Sequence, residues 1–172
     1  MGCGQAYPMR GGFEIVVAAI LIAVGSFGFI TSKPPPSDPM DLSFTAVDGS
    51  TVDLTALRGK VVLLDFWATW CGPCRGEVPN VVAAYNKYHD QGFEVVGVSL
   101  DQDRDTMSQF TASNGMVWPQ FFDGQGWGNS LAQRFGIRYI PQMWLLDRKG
   151  RIVTKDGRND LDGQVATLLS TP

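Results

Sequence analysis

The sequence predicts an α/β domain over residues 41–172, and three observations predict it. Two continuous apolar runs, Val61–Trp67 and Phe93–Leu100, read as central strands covered on both faces. Helix-like stretches alternate with them and stop at Gly92, Asn114-Gly115 and Gly136. Turn signals at Asp48-Gly49 and Arg148-Lys149-Gly150 mark two hairpins. At 172 residues the chain is the size of one domain with an extension.

The extension comes first. Residues 1–32 read as a membrane anchor or signal segment, because Ile15–Ile30 is apolar or small throughout and its head carries only Arg10 and Glu14 as charged side chains. A transmembrane helix needs roughly 20 apolar residues, so the run is slightly short for an anchor, with Phe13 and a snorkelling Glu14 able to extend it. The alternative is a cleaved signal peptide, with Ala23 and Gly25 as small residues before a cleavage point at Ser26. A buried core helix fits poorly, since the run is followed by Lys33-Pro34-Pro35-Pro36-Ser37-Asp38-Pro39. Residues 33–40 read as a stiff extended linker that holds a folded domain away from a membrane surface.

The charges flanking the run give almost no positive-inside bias. The export-like start therefore carries the expected location, on a bacterial cytoplasmic membrane facing the periplasm or cell exterior, or soluble outside after cleavage. Met-Gly-Cys hints at acylation, but Ala6 stands where myristoylation wants Ser or Thr. Cys3 lies before the apolar run, across a membrane from the other cysteines or on a removed peptide, and is read as non-catalytic.

Within the domain, Leu42–Thr45 and Ser50–Leu54 form an N-terminal hairpin ahead of the first central strand. A helix runs from the cysteine pair to about His89, another covers Asp103–Ser113, and Trp118–Phe122 gives a short extended piece. Ser130–Phe135 is a short helix, Pro141–Asp147 and Ile152–Thr154 an antiparallel hairpin, and Leu161–Ser170 a closing helix. Phe110, Trp118, Phe121, Phe122, Trp127 and Trp144 are expected in the core. His89, near a helix end, is expected at the surface rather than as a base.

A formal charge of −3 with scattered Lys and Arg gives no nucleic-acid surface. Three cysteines are too few for a disulfide framework, and two of them, Cys71 and Cys74, have a spacing that suits redox chemistry or half a zinc site. With Cys3 distant and His89 the single histidine, no second ligand pair completes a metal centre, so the redox reading wins and no metal is expected.

Cys71 falls between a strand and a helix, where unpaired amides and the positive end of the helix dipole stabilise a thiolate. It is expected to be the exposed nucleophile, and Cys74, one turn inward, the resolving thiol. Pro73 suits the first helical turn. Asp65 is a carboxylate in the middle of a buried strand, which should raise its pKa.

The segment Asp65-Phe66-Trp67-Ala68-Thr69-Trp70-Cys71-Gly72-Pro73-Cys74-Arg75, then Glu77-Val78-Pro79, and later Gly136-Ile137-Arg138-Tyr139-Ile140-Pro141, resemble the thioredoxin superfamily. The closer resemblance is to its exported TlpA-like and ResA-like branch, over roughly residues 41–170. This resemblance implies a thioredoxin-like fold, a central mixed β-sheet flanked by helices, with the N-terminal hairpin and an insertion after the second core strand. It implies that Asp65 exchanges a proton with Cys74, the alternative being a structural acid paired with a cation. It implies a cis Pro141 beside the cysteines, Ile140 receiving the substrate chain as an added strand, and a substrate contact set of Trp70, Gly72, Pro73, Ile140 and Pro141. For Trp70 a plain packing role is the alternative, and for Glu77 the choice is between modulating the thiols and being a solvated first-turn acid. Pro79 is read as a structural kink.

The activity so implied is thiol–disulfide oxidoreduction on disulfide-bearing proteins outside the cytoplasm. The Cys71–Cys74 disulfide is the redox group, with no other cofactor. For some members the resemblance implies reduction of apocytochrome c cysteines, with electrons from a membrane thiol donor of DsbD or CcdA type. A peroxidase is one alternative, but Leu64 and Ala68 stand where peroxidatic sites place Pro and Thr. A redox-inert binding module is another, against which the intact cysteine pair argues.

Overall fold

The computed structural model describes residues 37–171; the Ile15–Ile30 run, Cys3 and the first half of the proline-rich linker lie outside the described residues. Among the described residues no helix is long and apolar enough to cross a membrane.

The hairpin forms as expected from β1 (Ser43–Thr45) and β2 (Thr51–Asp53), paired antiparallel with Phe44 opposite Val52. Its turn is closed by Asp48, whose carboxylate accepts from the Ser50 amide at 2.9 Å and the Ser50 hydroxyl at 2.6 Å.

The main sheet is built around β3 (Val61–Trp67), in which every residue is buried. A strand apolar on both faces needs cover on both sides, and the chain supplies it. β4 (Phe93–Ser99) lies parallel to β3, with Leu63 opposite Val95, and the crossover between them is α1 (Gly72–Tyr88). The insertion after β4 holds α2 (Arg104–Ser113), the short edge strand β5 (Gln120–Phe121), a 3-10 turn at Gly126–Gly128 and α3 (Ser130–Arg134). β6 (Gln142–Leu146) then returns antiparallel against the other side of β3, and β7 (Ile152–Thr154) pairs with β6 before α4 (Leu161–Ser170) closes the chain. The resulting order is β5-β4-β3-β6-β7, the expected mixed sheet flanked by helices.

α1 turns Val78, Val81, Ala84 and Tyr88 inward, a spacing of three and four that keeps them on one helix face. α4 docks beside it through buried Leu161 and Val165, with Lys87 and Asp162 paired at 2.8 Å on the exposed rim. Pro79 stands inside α1, where its missing amide leaves the Arg75 carbonyl without an in-helix donor. His89 stands at the surface, with 38 % of its side chain exposed. It stacks on Tyr85 at 4.5 Å and lies 3.8 Å from Glu94, because the 3-10 turn after α1 folds it back over the helix end.

Candidate active site

β3 delivers the chain to one end of the sheet, and the turn Ala68–Trp70 carries it into α1. The Cys71 amide donates to Ala68 O at 3.2 Å, closing that turn, and Pro73 occupies the first turn of the helix. Cys71 is the residue that caps α1, and its Sγ accepts from the Cys74 backbone N–H at 3.2 Å. The two sulfurs are bonded, 2.05 Å apart. The expected exposure of Cys71 is corrected: it keeps 6 % of its surface against 3 % for Cys74, since in the bonded pair each sulfur covers the other.

Buried Asp101, just after β4, holds the turn from below. Its carboxylate accepts the Thr69 amide at 3.1 Å and the Thr69 hydroxyl at 2.6 Å, and also the Ser99 hydroxyl at 2.8 Å. Ser99 in turn offers its carbonyl to Asn129 Nδ2 at 3.0 Å, while Asn129 Oδ1 caps α3 by accepting from Leu131 and Ala132. Three buried polar residues thus tie the cysteine turn to the start of α3.

Asp65 sits in the centre of β3 between Gly97 of β4 and Met143 of β6. Burial, with the negative charge of Glu77 adding to it, raises its carboxyl from the ordinary 3.8 to about 7. Among the described residues no cation pairs with it, so the reading of Asp65 as a cation-paired structural acid finds no partner there. Glu77 is half-buried on α1 and accepts from Asn80 Nδ2 at 3.0 Å. Its negative charge adds to the raised carboxyl of Asp65. Cys74 lies one helical turn before Glu77, on the same side of α1.

The Ile140–Pro141 peptide is cis. Phe66 pairs with Gln142, so Pro141, one residue earlier, stands beside the end of β3 where the cysteine turn begins. Pro141 is buried and Ile140 half-buried. Among the described residues the Ile140 N–H and C=O make no backbone hydrogen bond, which leaves them open to an added strand. Gly72 and Pro73 are exposed on the same rim.

Trp70 is 53 % exposed and leans toward Trp127, 45 % exposed, with ring centroids 5.9 Å apart. The expectation that Trp127 is core is thereby corrected. It sits in the glycine-flanked turn Gly126–Gly128, which offers an indole no strand or helix face to pack on. The two rings form the walls of a groove floored by Leu100, with Gln102 and Gln125 at its sides.

Asp101, Asn129 and Trp127 were not among the site residues expected from sequence. A polar residue directly after a buried strand and an aromatic between two glycines were the signals available for them.

The family model described as Redoxin matches residues 34–169. A thiol-disulfide oxidoreductase ResA of Bacillus thuringiensis (strain Al Hakam) is 28 % identical over 148 residues, covering 82 % of this chain and 84 % of that protein. A protein of the same name from Oceanobacillus iheyensis is 38 % identical over 106 residues, 62 % of this chain and 54 % of that one. Among solved structures, the thioredoxin domain of a thiol-disulfide oxidoreductase from Bacteroides vulgatus superposes with a TM-score of 0.70 at 28 % identity, covering 81 % of this chain and all of that domain. A putative thiol:disulfide interchange protein DsbE from Chlorobium tepidum gives 0.67 at 30 % identity, with the same coverage.

Proposed function

The chain belongs to the redoxin family, and on that premise we propose that it is a thiol–disulfide oxidoreductase that reduces disulfides of proteins outside the cytoplasm. The observation that carries this reading is the Cys74 N–H directed at Cys71 Sγ, 3.2 Å away at the start of α1. When the pair is reduced, that amide and the positive end of the helix stabilise a Cys71 thiolate, the form that attacks.

The reaction follows in two exchanges. The Cys71 thiolate attacks one sulfur of the client disulfide, breaking that bond, forming a mixed disulfide and releasing the first client thiolate. Cys74 loses its proton to Asp65, whose carboxyl, poised near neutrality, suits the transfer. The Cys74 thiolate then attacks Cys71 Sγ, releasing the second client thiolate and closing the Cys71–Cys74 disulfide. Two electrons pass to the client, whose two thiolates take up protons from Asp65 and from water, and a second dithiol must return the electrons to the chain; a membrane thiol donor of DsbD or CcdA type fits that need. The open backbone of Ile140, beside cis Pro141, offers the client chain a strand partner, and Trp70, Gly72 and Pro73 form the rim it crosses.

Such a client and donor suit a domain held on the outer face of a bacterial membrane by residues 1–32, with cytochrome c maturation as one setting. The test is a redox titration of the full chain in glutathione and dithiothreitol buffers, with Cys74→Ala as control. A potential near about −270 mV supports a reductase, and one near about −120 mV reverses the direction to disulfide donation.

A further inference from the structure

We propose that the groove between Trp70 and Trp127 is a side-chain subsite for an aromatic residue lying next to the disulfide cysteine of the client polypeptide. The inference rests on the oxidoreductase reading and names its substrate class. Trp70 precedes Cys71 in the chain, so a client sulfur joined to Cys71 brings its neighbouring residues across the Trp70 indole.

The groove is open to solvent and has a volume of about 550 Å³, room for a ring with the peptide beside it. The backbone beneath its walls is tied down by hydrogen bonds. Asp101 grips Thr69, next to Trp70, and Asn129, two residues after Trp127, is hydrogen-bonded to Ser99, which itself donates to Asp101. A preset groove spares the ordering cost that a mobile one imposes on binding.

Its chemistry selects the occupant. No ionisable side chain lines it, and the two indoles are inclined at 54°. A flat ring resting across the two indoles can stack on one of them and meet the other at a tilt, a contact of the kind aromatic pairs favour. Gln102 and Gln125 place amides where a client backbone would pass. Gly126 is buried with φ of +54°, and a Cβ there would press on Gln102 at 3.2 Å, so the close approach of the Trp127 turn to that wall depends on glycine.

Residues 37–40 run along a different part of the sheet. Ser37 accepts from the Ile152 amide at 2.9 Å and the Met40 amide donates to Gly150 O at 2.8 Å, both at the β7 edge. The groove lies past the ends of β3 and β4, where Trp70 and Leu100 line it, and shares no residue with that edge.

The test uses the reduced full chain and peptides of one common sequence, each with a single cysteine held as a disulfide to a coloured aromatic thiol. The residues flanking the cysteine are varied among Phe, Leu, Ser and Glu. The Phe peptide should exceed the Ser peptide in kcat/KM by about tenfold. Trp127→Ala should cut that ratio to about twofold or less, and Trp127→Phe, which restores a ring, should retain most of it. Equal kcat/KM across the series, or a Phe preference that survives Trp127→Ala, overturns the subsite. Sedimentation of the same samples supplies a further arm, since a dimer that Trp127→Ala dissolves would assign the groove to a second copy and overturn the client assignment. Turnover of none of the peptides would remove the oxidoreductase reading and the subsite with it, a result distinct from equal turnover of all.

Discussion

The carboxylate of Asp101 accepts both the backbone N–H and the hydroxyl of Thr69, at 3.1 Å and 2.6 Å, two residues ahead of Cys71. The cysteine turn is thus held by a residue 32 positions later in the chain, and a helix cap that begins at Cys71 inherits its position from that grip.

Replacing Asp101 with Ala leaves two donors of Thr69 and the Ser99 hydroxyl without their acceptor in a part-buried site. Stability should fall by about 3 kcal/mol, read from urea unfolding of the oxidised full chain. Asp101→Asn keeps one oxygen and should cost about half as much. A loss below about 1 kcal/mol for the alanine variant would show that the turn holds itself.

Asp65 makes stability depend on pH with a definite sign. Its carboxyl is raised from 3.8 to about 7 on folding, so between those values the unfolded chain releases the proton while the folded chain keeps it. Unfolding is favoured as pH rises, and the contribution to stability drops by about 3 kcal/mol from pH 4 to pH 7, then levels off. Asp65→Asn should flatten this stretch and make the oxidised protein more stable at pH 8 than its parent. Parallel stability–pH curves for the two proteins would refute the assignment.

Glu77 contributes the smaller part of that rise, after burial. Glu77→Gln removes the charge and should move the Asp65 midpoint downward, part of the way toward the ordinary carboxylate range. Carboxyl-carbon NMR titration of the oxidised protein reads it directly. An unmoved midpoint would leave burial as the sole cause.

Gly97 pairs with Asp65 on one side and Gln120 on the other. A Cβ there would collide with the Gln120 side-chain amide, which accepts from Trp67 Nε1 at 3.0 Å. Because Gln120 is buried, it has little room to swing aside. Gly97→Ala should therefore destabilise by about 2 kcal/mol and change the tryptophan emission, both measurable in one denaturant titration. Unchanged emission would mean that the pair adapts.

What could be read before the structure was local. The seven-residue run of β3 declared itself because apolar residues on both faces leave a strand one place to go. The cap at Cys71 followed from a proline two residues later. The position of Pro141 came through resemblance, since nothing near Pro141 in sequence says that it meets the end of β3. Trp118–Phe122 contracted to Gln120–Phe121 because Pro119 has no amide to donate, although its carbonyl still accepts from Gly97 at 2.9 Å. Asp101 escaped notice because an acid at a strand end reads as solvated until its partners, 32 residues back, are known. Trp127 was misplaced because side-chain hydrophobicity predicts burial without asking whether the backbone offers a surface to pack on.

The antiparallel return of β6 to the flank of β3 has a consequence for how the protein is made. β3 is synthesised early, yet one of its two edges stays bare until residues 142–146 have emerged, some 80 positions later. Throughout that interval a growing chain displays a mostly apolar strand with one open edge, followed a few residues on by two thiols. Slow emergence would thus favour off-pathway association through the open edge of β3.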